Sequence, residues 1–92
     1  MTIQDLDWDE RNEAHIARHH VTSWEVDEAI FEDAPHARHG PGAGLYHVYA
    51  QTDPGRYLFI VVRDLGDGRA RVITARDMTR ADRGLYEREG KG

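Results

Sequence analysis

Between residues 45 and 76 the apolar positions either alternate with polar ones or run on without interruption, the two patterns that β-strands produce. Tyr57 to Arg63 is a nearly continuous β-branched and aromatic run, and Arg71 to Arg76 alternates. Asp67-Gly68 between them signals a two-residue hairpin, because a type I′ turn needs positive φ at both central positions. A turn centred there pairs Arg63 with Val72, Val61 with Thr74 and Phe59 with Arg76. The alternate set places Leu58, Ile60 and Val62 beside Ile73 and Ala75. Leu45 to Gln51 reads as the preceding strand, and a three-residue turn at Asp53-Pro54-Gly55 pairs Ala50 with Leu58 and Val48 with Ile60. That register puts Tyr46, Val48 and Ala50 on the apolar face. His47, Tyr49 and Gln51 then join Tyr57, Phe59, Arg63 and Arg76 on the opposite, aromatic and basic face.

Helical spacing governs the ends of the chain. Met1 to Trp8 is a short strand or an extended lead-in, and Asp7 with Glu10 has capping-box spacing ahead of a helix from about Asp9 to His20. Its apolar stripe is thin: Trp8, Ala14, Ile16 and Ala17. Thr22-Ser23-Trp24-Glu25 is a second capping box, with Val21 and Val26 at the staple positions and Val26, Ala29 and Ile30 on one face. Asp33-Ala34-Pro35 stops this helix, since a residue before proline is pushed out of the α region. The two helices with their two-residue joint form a helical hairpin. His36 to Gly44 is a flexible connector or a short edge strand. Thr79, with Asp82 three residues on, caps a last helix to about Glu89 that packs through Ala81, Leu85 and Tyr86; Glu89 to Gly92 should fray. The expected architecture is a single α+β domain over residues 1–92: an N-terminal helical hairpin, an antiparallel sheet of three or four strands, and a C-terminal helix.

Charge sharpens this picture. The net charge is −5, yet residues 1–33 hold ten acids against Arg11 and Arg18, whereas residues 56–92 hold nine arginines and lysines against six acids. One surface suits an anion and another faces water or a basic partner. Overall acidity argues against tight, non-specific nucleic-acid binding. The chain has no cysteine, hence no disulfide framework or thiolate metal site, which fits a reducing cytoplasm. No apolar run approaches a membrane span, so a cytoplasmic protein without membrane association is expected.

Three groupings could carry chemistry. His15 and His19 stand one helical turn apart, but the intervening Ile16, Ala17 and Arg18 supply no zincin glutamate, and no metal or other cofactor is expected. Gly40-Pro41-Gly42-Ala43-Gly44 lacks the lysine and hydroxyl of a P-loop. The aromatic and basic sheet face remains, with Arg80 and Tyr86 from the following helix. Arginine forks match phosphate, rings stack on unpaired bases, and His, Tyr and Arg together could run a metal-free phosphodiester cleavage. The alternative from the same residues is that Tyr57 and Phe59 pack under the last helix while the arginines pair with Asp64, Asp77 and Asp82.

Three stretches, LDWDERNEAHIARHHVTSWEVDEAIFED, YHVYAQTDPGRYLFIVVRD and VITARDMTRADRGLYERE, together resemble the BrnT family of type II toxins, whose fold is RelE-like. The resemblance implies an endoribonuclease that blocks translation by cutting RNA, free or as ribosome-bound mRNA. It also implies a BrnA-like antitoxin as protein partner, with DNA contacted only through that antitoxin. It places weight on Arg18, His19, Arg63, Arg76, Arg80 and Tyr86. Arg63, Arg76 and Arg80 would hold the phosphate and His19 or Tyr86 would move protons, with Arg18, His47, Tyr49, Tyr57 and Phe59 as RNA contacts. The non-catalytic alternative is an interaction module binding an antitoxin-like partner. Where the family has glycine after its helix-ending His, this chain has His20, a costly residue if the position is left-handed. Its strand entry at Leu45 carries no charge.

Overall fold

The computed structural model describes residues 2–32 and 35–90. Among these, β1 (Asp5–Asp7), β2 (His36–His39), β3 (Leu45–Gln51), β4 (Tyr57–Gly66) and β5 (Arg69–Asp77) form one sheet in the order β1-β5-β4-β3-β2. The helices are α1 (Glu10–Ala17), α2 (Ser23–Glu32) and α3 (Arg80–Leu85), the last running on into a π-helical turn, Tyr86–Gly90. The α+β class stands. The sheet is larger than expected and mixed, because the short N-terminal segment pairs parallel to β5, Asp5 to Asp7 against Arg69 to Arg71. His36–His39 is an edge strand against β3.

The central register is the one the turns dictate. Ala50 faces Leu58, Val48 faces Ile60, Phe59 faces Arg76 and Val61 faces Thr74. Asp67 (φ 55°) and Gly68 (φ 79°) supply the two positive angles of the tight turn. Beyond Thr74 the expected register slips. Two compensating bulges, one at Leu65 beside the turn and one at Ile73, leave these residues without partners, so between them Val62 faces Val72 and Arg63 faces Arg71 rather than Val72. Val72 thereby takes the buried place expected for Ile73, which is 38% exposed.

The first helix also starts differently. Asp7 is used up in β1, and the cap is Asp9, whose side chain accepts from the Asn12 N–H while the Asn12 side chain accepts from the Asp9 N–H. Asn12 is buried, and its amide also donates to the Asp7 carbonyl at 2.8 Å, fastening α1 to the sheet edge. Ala14 and Ala17 are exposed, leaving Ile16 as the helix's apolar anchor. The chain leaves α1 through a Schellman motif: the Val21 N–H donates to the Ile16 carbonyl and the His20 N–H to that of Ala17. His20 is left-handed there, φ 60°.

Thr22 and Glu25 cap α2 reciprocally, and Val21 and Val26 are both buried. α1 packs on β5 and α2 on β3 and β4. Ile16 of α1 and Val26, Ala29 and Ile30 of α2 enter one core with Leu6, Val48, Ala50, Leu58, Ile60, Val62, Ala70, Val72 and Ala75. The stop expected at Asp33-Ala34-Pro35 falls, for Asp33 and Ala34, outside the described residues, as do Lys91 and Gly92 of the fraying tail. On the opposite sheet face a second, smaller core joins Tyr49 and Phe59 to Met78 and Tyr86, with Tyr57, Val61 and Leu85 around it. Thr79 and Asp82 cap α3 as the spacing predicts, but Ala81 is exposed.

Candidate functional site

Two-residue alternation sends His36 and Arg38 of β2, His47 and Tyr49 of β3, and Phe59, Val61 and Arg63 of β4 to the sheet face opposite α1 and α2. The C-terminal helical segment covers only half of it. Under the covered half, Tyr86 is 1% exposed, its ring edge-on to Tyr57 at 6.1 Å, and Tyr49 packs edge-on to Phe59 at 5.3 Å. Burial, reinforced by the Asp82 charge, raises the Tyr49 phenol above its ordinary pKa. The Arg83 guanidinium lies 4.2 Å over the Tyr57 ring. These rings are structural elements of the second core.

The uncovered half holds Arg38, His47 and Arg63. Arg38 and His47 are cross-strand partners, and Arg63 lies diagonally from His47, about 7–8 Å away by sheet geometry. Arg63 is exposed and reaches the Ala43 carbonyl of the β2–β3 loop at 3.4 Å. Gly40 lets that loop close on the imidazole, since a Cβ there would stand 3.3 Å from His47 Nε2. None of the three side chains has a carboxylate partner among the described residues. Arg56, Arg69, Arg71 and Arg76, by contrast, are ion-paired.

Arg76 marks the border between the halves. Its guanidinium lies 4.2 Å over the Phe59 ring, donates to Asp82 at 2.8 Å and to the Asp77 carbonyl at 2.9 Å. Burial pushes the Asp82 carboxyl up, but the Thr79 N–H and the Arg76 guanidinium outweigh it and hold the carboxyl below its ordinary value. On its other side the Phe59 ring meets His47 edge-on at 5.0 Å. His47, Phe59 and Arg76 thus form a continuous contact, and stacking a base on Phe59 requires Arg76 to move.

The remaining residues expected at the site lie elsewhere. Arg18 and His19 leave the end of α1, on the other layer of the molecule; the His19 carbonyl accepts weakly from Arg56 at 3.5 Å. Arg80 lines a shallow depression on α3 with Met78, Arg83, Gly84 and Glu87. His15 and His19 approach edge-on at 6.1 Å, and among the described residues no group of three or more His, Asp or Glu side chains is arranged to hold a metal ion. Among the described residues no helix is long and apolar enough to cross a membrane.

No family model, curated protein or solved structure matches the chain. Function has to be read from the side chains themselves. What they offer is two exposed guanidinium groups without carboxylate partners on either side of a half-buried imidazole. Arg38 was not a candidate from the sequence, because HARH carries no apolar alternation and gives no register. The clue was the glycine-rich stretch before Leu45, which closes the β2–β3 hairpin: the Gly40 N–H donates to the Leu45 carbonyl at 2.7 Å.

Proposed function

We propose that this protein is a metal-independent endoribonuclease, the toxin of a type II toxin–antitoxin pair with a RelE-like fold, restrained by a BrnA-like antitoxin. One observation carries the reading beyond the sequence resemblance: in a chain of net charge −5, Arg38, His47 and Arg63 stand together without carboxylate partners. Surplus unpaired cationic groups on an acidic protein are what an anionic ligand needs. In the reaction, the ribose 2′-oxygen attacks the adjacent phosphorus as His47 takes its proton. The two guanidinium groups offset the charge on the pentavalent phosphorane. The bond from phosphorus to the 5′-oxygen then breaks and that oxygen takes a proton from solvent water, to which His47 returns its own, leaving a 2′,3′-cyclic phosphate and a 5′-hydroxyl. His47 replaces Tyr86 and His19 in the proton role, because Tyr86 is buried and His19 belongs to another layer.

A second reading is favoured by the way Tyr49, Phe59 and Tyr86 are committed to packing and Arg76 to Asp82. On that reading the sheet face binds a protein partner and cuts nothing. Incubation of the purified protein with end-labelled single-stranded RNA in EDTA, with and without ribosomes, separates the two. Cleavage leaving cyclic-phosphate ends, lost in His47→Ala and Arg63→Ala variants of unchanged melting temperature, supports the nuclease. No cleavage under either condition, or cleavage unaffected by both substitutions, refutes it.

A further inference from the structure

The outward side of α2 presents a feature that neither core uses. Trp24, Glu28 and Phe31 follow one line along the helix, opposite the buried Val26, Ala29 and Ile30. Trp24 is 61% and Phe31 44% exposed. Leu65 and Ile73 are also exposed, but each sits at a register shift of the β4–β5 ladder that displaces it. No such irregularity explains the two aromatic rings on a regular helix. Beside this ridge lies an open cleft of ≈ 220 Å³ lined by Glu28, Glu32, Gln51, Thr52 and Asp53. Glu28 is held by the Asp53 N–H at 2.8 Å. Among the described residues the three carboxylates have no cationic partner, and Arg56, just across the turn, is taken by Glu25 and Asp77.

We infer that the outer face of α2 docks a basic amphipathic segment of a partner protein. The segment's apolar side chains cover Trp24 and Phe31, and its lysines or arginines enter the cleft of Glu28, Glu32 and Asp53. Charge complementarity selects this occupant. The aromatic ridge alone would accept any apolar surface, but three unpaired carboxylates at its flank repel an acidic one and leave a neutral one with nothing to neutralise them. Aromatic side chains surrounded by a charged rim are also the usual composition of an interface centre. The inference stands apart from the nuclease reading, because α2 lies on the sheet face opposite Arg38, His47 and Arg63.

The test titrates the full chain into a labelled Leu/Lys amphipathic helical peptide, a Ser/Lys peptide of equal charge and a Leu/Glu peptide of the same pattern. Binding of the Leu/Lys peptide should exceed that of either control by at least about tenfold. Trp24→Ala with Phe31→Ala should weaken it by at least about tenfold, Glu32→Lys should weaken it and flatten its salt dependence, and Arg63→Ala should leave it unchanged. Equal binding by the Leu/Glu peptide, or full binding by both the aromatic and the Glu32→Lys variants, overturns the inference. So does a dimer in sedimentation that the aromatic substitutions dissolve, which would make a second copy of this chain the occupant.

Discussion

Replacing His20 by glycine should stabilise the protein, and the size of the gain follows from the turn after α1. His20 is the left-handed residue of a Schellman motif whose two hydrogen bonds come from the His20 and Val21 N–H groups. Neither bond involves the imidazole. An L-residue in this conformation bears a cost of about 1–2 kcal/mol from its Cβ, and glycine removes it. Glycine also has more freedom to lose on folding, about 0.5–1 kcal/mol. The balance is a gain of about 0.5–1 kcal/mol, or roughly 2–8 °C in Tm for a domain of this size. The His20 carbonyl, which accepts from Arg56 Nη1 at 2.8 Å, is kept in the variant. Thermal and urea unfolding of His20→Gly and His20→Ala, side by side, decide the matter. Alanine keeps the Cβ and loses the ring, so it should be no more stable than the parent. If both variants gain equally, the ring and not the backbone angle is the source of strain, and the reasoning fails.

Other substitutions probe the two cores and the clamp between the layers. Tyr86→Ala should cost about 3 kcal/mol and expose the chain after Thr79 to protease, because the ring is 1% exposed and anchors the second core. Unchanged protease resistance would show that α3 is held by something else. Arg56 ties β4 to α2 and to the chain leaving α1, through Glu25 at 3.1 Å, Asp77 at 2.7 Å and the His20 carbonyl. Its replacement by alanine should cost about 1–2 kcal/mol in urea unfolding, and lysine, which lacks the fork, should restore less than half. Acid should destabilise the fold from about pH 4 downwards. The hydrogen bond from Arg56 lowers Asp77, while at Asp82 and Glu25 burial is outweighed by the Thr79 and Thr22 N–H groups and by Arg76 and Arg56. Each folded value lies below the unfolded one, so the unfolded chain binds protons first. The stabilisation is complete above the unfolded values and lost as pH falls through the folded ones. Asp82→Asn should flatten part of that dependence; an unaltered pH profile would count against Asp82 as a contributor.

The strands flanking the two tight turns were legible because local chemistry sets them. Asp67-Gly68 fixes one hairpin, and the faces of Leu45–Gln51 and Tyr57–Arg63 follow from period two. The paired bulges at Leu65 and Ile73 were not legible, since together they change no composition, only the partners of Val62, Arg63 and Asp64. The pairing of Asp5–Asp7 with Arg69–Arg71 was hidden for a related reason: it joins segments far apart in the chain and leaves no local turn signal. That pairing consumed Asp7 and passed the helix cap to Asp9, so one non-local contact displaced a local prediction. At the site, the sequence put Arg63, Arg76 and His47 on one face correctly. How much of that face the last helix covers depends on where Tyr86 lands, which a residue pattern does not state.

The parallel pairing of β1 also sets an order of events during synthesis. Leu6 enters the core only beside Ala70, and Asp7 finds Arg71 only after the intervening stretch, a separation of 64 residues, has been translated. Until then Asp5–Asp7 has no strand to pair with, and α1 lacks the sheet edge to which Asn12 fastens it. Closure of this fold is therefore a late, long-range step that nascent chains cannot take early, however quickly their hairpins form.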